Sequence, residues 1–271
     1  MHNSIFRFKT SIFQQSRIHI ALLLCTFLLA FGHNAQAKPV ENFYVVVGLA
    51  KPPYVIQETN SGFEIELIRS ILEQMNQKAD FVYVPFGRSI RMLNSDRIDA
   101  IMTVNVNLIA EDNRLSDPYI IYQNVVITRK TDELKIQNIE DLTGLKVAAF
   151  QSANKILGKG FAKAIDTTKQ YIEIADQRRQ TKLLFDKQVD ALVMDINIFN
   201  TLSPMVGGAE DLSDVNIHPV FDKSPYRMAF KNSELIAEFN QQLTKFKHTE
   251  NYQKLLHKYD LLEQDGILAV R

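Results

Sequence analysis

Cysteine occurs once among the 271 residues, at Cys25, so no disulfide within the chain stabilises it. No cluster of Cys and His has the spacing of a metal site, and no Gly-x-Ser-x-Gly elbow marks a serine hydrolase. "LGKGFAK" carries two of the three glycines of a dinucleotide loop, but it falls inside a predicted helix and so lacks the strand-to-helix turn that the loop requires. Neither a metal nor a cofactor is expected. The 31 basic and 31 acidic side chains cancel, so nucleic acid and anionic membrane surfaces are not expected partners. An apolar run long enough to cross a bilayer is missing too. "IALLLCTFLLAFG" offers about a dozen residues where a spanning helix needs roughly 20.

That short run reads instead as an export signal. Arg7, Lys9 and Arg17 precede it, and the small-residue site Ala35-Gln36-Ala37 follows it, with cleavage expected after Ala37. Leu24 stands before Cys25 where lipidation would want a small residue. Removing 37 residues leaves 234, and losing Arg7, Lys9 and Arg17 leaves 28 basic against 31 acidic side chains. A near-neutral, cysteine-free chain of this length is compatible with the periplasm, and it suffices for one large domain or two small ones.

What the chain does have is a regular alternation of short apolar runs and amphipathic segments, the pattern of an α/β protein. "FYVVVG" (43–48) is a predicted strand. In "GFEIELIRSILEQM", Phe63, Leu67, Ile71 and Met75 recur at helical spacing, with Ile68 and Leu72 widening the stripe. "ADFVYVPF" is a strand, "GRSIRMLNS" a short helix and "IDAIMTV" a third strand. The order then begins again: strand "LKVAAF", helix "SANKILGKGFAKAI", strand "YIEIA", helix "DQRRQTKLLFDKQ", strand "VDALVMD". "RIDAIM" and "QVDALV" echo one another, each entering its strand through an Asp-Ala pair; Asp99 and Asp190 there are expected to satisfy backbone donors at the turn. The "QRR" run at 177–179 reads as a solvated helix face. "YRMAF" and two following helices, "SELIAEFNQQLTKF" and "ENYQKLLHKY", do not complete another unit and are expected to return to the first lobe. The expected division is 38–121 for the first lobe, 122–225 for the second and 226–271 for the return, with crossings near residues 120–124 and near Pro225.

The loop 49–62 sits where ligands bind in open α/β sheets, outside the carboxyl end of a strand. Pro52 and Pro53 stiffen it, so Tyr54 is presented with little entropy left to lose, either to a ligand or as a lid over the sheet. In order, "KPPYVIQETNSGFEIELIRSILEQM", "VPFGRSIRMLNSDRIDAIM", "LSDPYIIYQNVVITRK", "IEDLTGLKVAAFQ", "LLFDKQVDALVMD" and "YRMAFKNSELIAEFNQQL" resemble the extracytoplasmic solute-binding proteins of family 3. The resemblance covers essentially the whole exported chain. It implies a type II periplasmic binding fold: two lobes, each a mostly parallel sheet flanked by helices, joined by two crossings and closing on a ligand.

By the same resemblance, the protein is a monomer without catalytic activity that captures a small polar solute, such as an amino acid, an amine or a derivative, and delivers it to the membrane subunits of an ABC importer. A sensory protein docking to a membrane receptor is an alternative. An enzyme on the same scaffold, similar to cyclohexadienyl dehydratases, is another; His218, His248 and His257 lie late in the chain, away from the loops that would serve it. Tyr54 matches the family aromatic after the proline pair, Phe86 a second cleft aromatic, and Asp195 the carboxylate that receives a ligand amino group; Phe86 also reads as core, and Asp195 as a helix N-cap. The family's Thr-x-x-Arg clamp for a ligand carboxylate is not matched. Counted back from Ser116, the arginine's place falls at Ile109, and Arg114 is too close to the Ser-Asp-Pro-Tyr motif to replace it. The Gly-Thr expected after "LKVAAF" gives way to "QSAN". Arg88, at a helix start, is the substitute candidate for a carboxylate, against a plain solvated role. Asn105, Asn107, Gln151 and Ser152 are candidates for neutral hydrogen bonds.

Overall fold

The computed structural model describes residues 41–94, 97–110, 112–207, 212–264 and 267–270. The expected export signal, 1–37, lies outside the described residues.

The first lobe is a five-stranded sheet in the order β2-β1-β3-β10-β4. Its parallel core is β1 (Glu41–Val47) between β2 (Gln77–Tyr83) and β3 (Ala100–Val104); β10 (Ser224–Phe230) runs antiparallel to β3, and β4 (Ile120–Tyr122) antiparallel to β10. The predicted apolar stripe is the buried face of α1 (Phe63–Gln74), where Phe63, Leu67, Ile68, Ile71 and Leu72 join the core of the sheet. Each such side chain contributes about 1.5–3 kcal/mol when fully buried. The helix starts at Gly62 for a steric reason. With φ at +116°, a Cβ there would stand 2.3 Å from the Tyr54 carbonyl oxygen. The loop caps α1 in turn, since Phe63 N–H donates to Pro53 O and Glu64 N–H to Tyr54 O, both at 3.0 Å.

The second lobe repeats the plan in the order β7-β6-β8-β5-β9. β6 (Lys146–Phe150) lies parallel between β7 (Gln170–Ile174) and β8 (Ala191–Asp195), and β5 (Asn124–Arg129) is antiparallel to both β8 and β9 (Val215–His218). The internal echo is physical. Asp99 Oδ2 accepts from Tyr44 N–H and Asp190 Oδ2 from Lys146 N–H, each at 2.8 Å, so both aspartates tie the start of a strand to the neighbouring strand's entry, the structural role expected of them.

α2 (Phe86–Met92) precedes β3 in the first lobe, and in the second lobe the strands are followed by α3 (Ala153–Ile156), α4 (Gly158–Ala164), α5 (Gln177–Phe185) and α6 (Ile196–Leu202). The sequence predicts one helix over 152–165; the structure has two, because Gly158 adopts φ +84° and breaks it. After β10, α7 (Leu235–Lys247) packs on α1, followed by α8 (Glu250–Lys258). A terminal hairpin of β11 (Leu261–Gln264) and β12 (Ile267–Val270) was not foreseen; β12 lies against β4 and α6. Only Gln123 separates β4 from β5, and residues 219–223 make the second passage. The passages are tied together: Gln123 Nε2 donates to Phe221 O and Asn124 Nδ2 to Ser224 Oγ, both at 3.0 Å.

Candidate binding cleft

Ends of strands from both sheets converge on one cavity, open to solvent at its mouth. The first lobe contributes Gly48 and Lys51 after β1, Phe86 at the start of α2, Thr103, and Tyr122 and Tyr226 from β4 and β10. The second contributes Phe150 at the end of β6 and Gln151 after it, Gln177 after β7, and Asp195 and Ile198 where β8 gives way to α6. Four aromatic rings, Phe86, Tyr122, Phe150 and Tyr226, therefore wall a space whose charged members are Lys51 and Asp195.

Lys51 is buried, and all three of its ammonium protons are used. They go to Glu64 Oε1, Thr103 Oγ1 and Tyr122 OH, each at 2.9 Å. Glu64, fully buried behind the cavity wall, is filled in turn: Oε1 also accepts from Tyr122 OH, and Oε2 accepts from Thr103 Oγ1 at 2.7 Å and Tyr119 OH at 2.5 Å. Burial pushes the Glu64 carboxyl up, but the Lys51 charge and the tyrosine hydroxyls outweigh it and hold it below its ordinary value. Burial also lowers the Lys51 ammonium, against the pull of Glu64. Thr103 holds φ +60°, an unusual conformation for a β-branched residue, and its N–H donates to Tyr119 OH at 2.9 Å.

Asp195 is held differently. Its Oδ1 caps α6, accepting from Asn197 N–H at 3.0 Å and Ile198 N–H at 3.1 Å, while Oδ2 accepts from Gln123 N–H, at the first crossing, at 3.0 Å. Burial raises its carboxyl to about 7, over the opposing effect of these backbone bonds and of the Tyr54 hydroxyl. The N-cap expectation and a place on the cavity wall are thus compatible at this residue.

Of the residues singled out in the sequence, Phe86, Gln151 and Asp195 line the cavity. Tyr54 stands one layer behind: it is fully buried, stacks on Tyr122 with centroids 4.5 Å apart, and its hydroxyl accepts from Asn197 Nδ2 at 2.7 Å. Asn105 and Asn107 reach across the lobes, both donating through Nδ2 to Ile156 O, at 3.1 and 2.9 Å. Gln151 also crosses, its Oε1 accepting from Gly87 N–H at 3.0 Å. The Ser152 N–H donates to Glu173 Oε2 at 2.8 Å, and Arg88 is exposed; neither lines the cavity. Ile109 packs in an apolar cluster with Val46, Ile101 and Leu115. Gln177, read only as part of a solvated face, turns its amide inward, and its Oε1 is buried without a protein partner.

Sequence reasoning missed Lys51, Glu64 and the two tyrosines, Tyr122 and Tyr226. One signal was available: Glu64 lies three residues before Leu67 and four before Ile68, on the apolar face of α1, where a carboxylate needs a partner.

Two sheets with a shared cavity at their converging strand ends define a two-lobed binding protein. Residues 44–262 match the bacterial extracellular solute-binding proteins, family 3, and the chain belongs to that family. Among curated proteins it is 22% identical over 249 residues to an arginine-binding periplasmic protein of Mannheimia haemolytica, covering 87% of this chain and 97% of the relative. It is 29% identical over 194 residues to a probable amino-acid ABC transporter-binding protein of Haemophilus influenzae, covering 68% and 69%. Solved structures with the same fold include an ancestral arginine-binding protein bound to arginine, at TM-score 0.66, 24% identity and 80% and 97% coverage. A histidine kinase sensor domain similar to periplasmic binding proteins superimposes at TM-score 0.68, with 21% identity and 80% and 95% coverage. An ancestral amino acid-binding protein described as a precursor of cyclohexadienyl dehydratase does so at 0.65, with 20% identity and the same coverage.

Proposed function

We propose that this chain is exported to the periplasm, is cleaved after Ala37, and works as a monomeric, non-catalytic receptor that closes its lobes on a small polar solute and hands it to the membrane subunits of an ABC importer. The observation that carries the reading is the interlobe cavity, built at strand ends of both sheets in a chain of this family. The amino-acid transport names of its relatives support an amino acid, an amine or a derivative as the solute, and the Haemophilus influenzae relative supports the importer. With the expected bounds shifted by a residue or two to follow the sheets, residues up to Tyr122 and from Ser224 onward move as one lobe and the stretch between as the other, about the paired passages at Gln123 and 219–223. Phe86, Gln151 and Asp195 touch the solute, while Asn105 and Asn107 hold the lobes together once it is enclosed.

A thermal-shift screen of the protein, unfolded and refolded to strip carried-over ligand, tests this against amino acids, amines, short peptides, small carboxylates and cyclohexadienyl acids. A ligand at 100 times its dissociation constant stabilises the fold by about 2.7 kcal/mol, several degrees in Tm. The expected hit is recovered chemically unchanged. A hit that is consumed would make the protein an enzyme, and a silent screen would remove the receptor reading.

A further inference from the structure

We propose, resting on the receptor reading above, that the cleft selects an organic cation without a carboxylate: an amine or guanidine with an apolar or aromatic body, and not the corresponding α-amino acid. The reason is the accounting of charge and hydrogen bonds on the cavity wall. Lys51 is the one cation that lines it among the described residues, and its three protons are already donated to Glu64, Thr103 and Tyr122. Glu64 neutralises that cation at 2.9 Å and has no accepting position left for anything else. A ligand carboxylate would have to break this network or stay unpaired, and a buried unpaired charge is strongly disfavoured.

The other side of the ledger favours a cation. Asp195 makes no ion pair among the described residues; three backbone N–H groups and the Tyr54 hydroxyl fill its accepting positions, so a cation in the cavity would balance its charge without hydrogen-bonding to it. Gln177 Oε1 is a buried acceptor without a protein partner on the same wall, suited to an N–H donor. Phe86, Phe150 and Tyr226 add aromatic rings to the lining, whose π-systems attract cations and repel carboxylates, while the Tyr122 ring is already taken by Tyr54 and Lys51. Ile109, where counting places an arginine clamp, is enclosed among apolar side chains, so no hidden arginine at that place compensates.

Four matched pairs that differ by one carboxylate provide the test: agmatine and arginine, cadaverine and lysine, histamine and histidine, tyramine and tyrosine. Calorimetric titration of the refolded protein is expected to find at least one amine bound tighter than its parent amino acid, on the order of a hundredfold. A parent amino acid that binds as tightly as its amine in every pair that binds overturns the proposal and leaves the receptor reading intact. Binding confined to small carboxylates or uncharged solutes does the same. Failure of every solute in the wider screen removes both. E64Q keeps the shape of the side chain while releasing the Lys51 charge toward the cavity; it is expected to shift the amine-to-amino-acid ratio toward the acid by about tenfold or more. An unchanged ratio in folded E64Q would show that Lys51 is not what rejects the carboxylate.

Discussion

Glu64 in the first lobe and Asp195 in the second are both buried carboxylates at the cleft, and their surroundings drive them in opposite directions. Glu64 is compensated by a lysine ammonium and three hydroxyls and is held below its ordinary value; Asp195 is bound mainly by backbone N–H groups and rises to about 7. Burial acts on both alike, so the difference comes from the company each keeps. One carboxylate is committed to the protein, and the other keeps a charge to be balanced from the cavity.

Removing one partner of the committed pair should have the largest effect. Glu64→Leu leaves Lys51 buried without a counter-ion, and we expect a loss of about 3–5 kcal/mol in urea unfolding, with much of it recovered in the Lys51→Met/Glu64→Leu double variant. A double variant as unstable as the single one would mean that the tyrosine hydroxyls, and not the ion pair, dominate the network.

The two carboxylates should also give stability opposite slopes with pH. Asp195 has a folded value of about 7 against an ordinary 3.8, so its contribution is fully present below the lower value and is lost as pH rises through the upper one, on the order of 4 kcal/mol. Glu64, held below 4.5, contributes above that value and loses its contribution as pH falls through the lowered one. Lys51, Tyr54, Tyr122 and Tyr226 are the ionisable groups whose fields meet Asp195. Denaturation at pH 5 and pH 8 should therefore show Asp195→Asn flattening the decline seen in the unaltered protein, and parallel slopes would contradict this account. For a cationic ligand the sign reverses: affinity should rise from pH 5.5 to 8, because only the ionised Asp195 balances it.

Smaller effects sharpen the comparison between lobes. A Cβ at Gly87 would lie 3.1 Å from Gln151 Nε2, so Gly87→Ala should disturb the bond that joins α2 to the second lobe. We expect ligand affinity to weaken by about 0.5–1.5 kcal/mol in calorimetry while the unliganded melting temperature does not fall. Smallest of all, Arg88→Ala should change stability by no more than about 0.5 kcal/mol and leave amine affinity as it was. A selective loss of acidic ligands would instead make Arg88 their partner.

Much of the architecture was legible before any coordinates. The stripe Phe63, Leu67, Ile71 marked α1, and the paired Asp-Ala entries marked two lobes on one plan, because local periodicity and turn chemistry act over a few residues. The terminal hairpin escaped because "LLEQDGILAV" has little alternation, and the break in the helix at Gly158 because glycine inside a helical pattern is tolerated as often as it interrupts. Of the residues lining the cavity, Phe86 and Asp195 were named from motif position and Gln151 only as a neutral hydrogen-bonding side chain. Tyr54 was read as a wall and lies behind Tyr122, since a stiff loop says how a side chain is held and not what stands in front of it.

Local sequence determined the strands, the helices and their order, and with them a cleft at the carboxyl ends of two sheets. Tertiary structure alone decided what that cleft contains. Thr103, Tyr119 and Tyr122 reach Glu64 from 39, 55 and 58 residues away, and only the folding of β3 and β4 beside α1 brings them together. Whether a buried lysine is free to meet a ligand depends on how many of its protons are already used, a sum over neighbours in space that spacing along the chain does not fix.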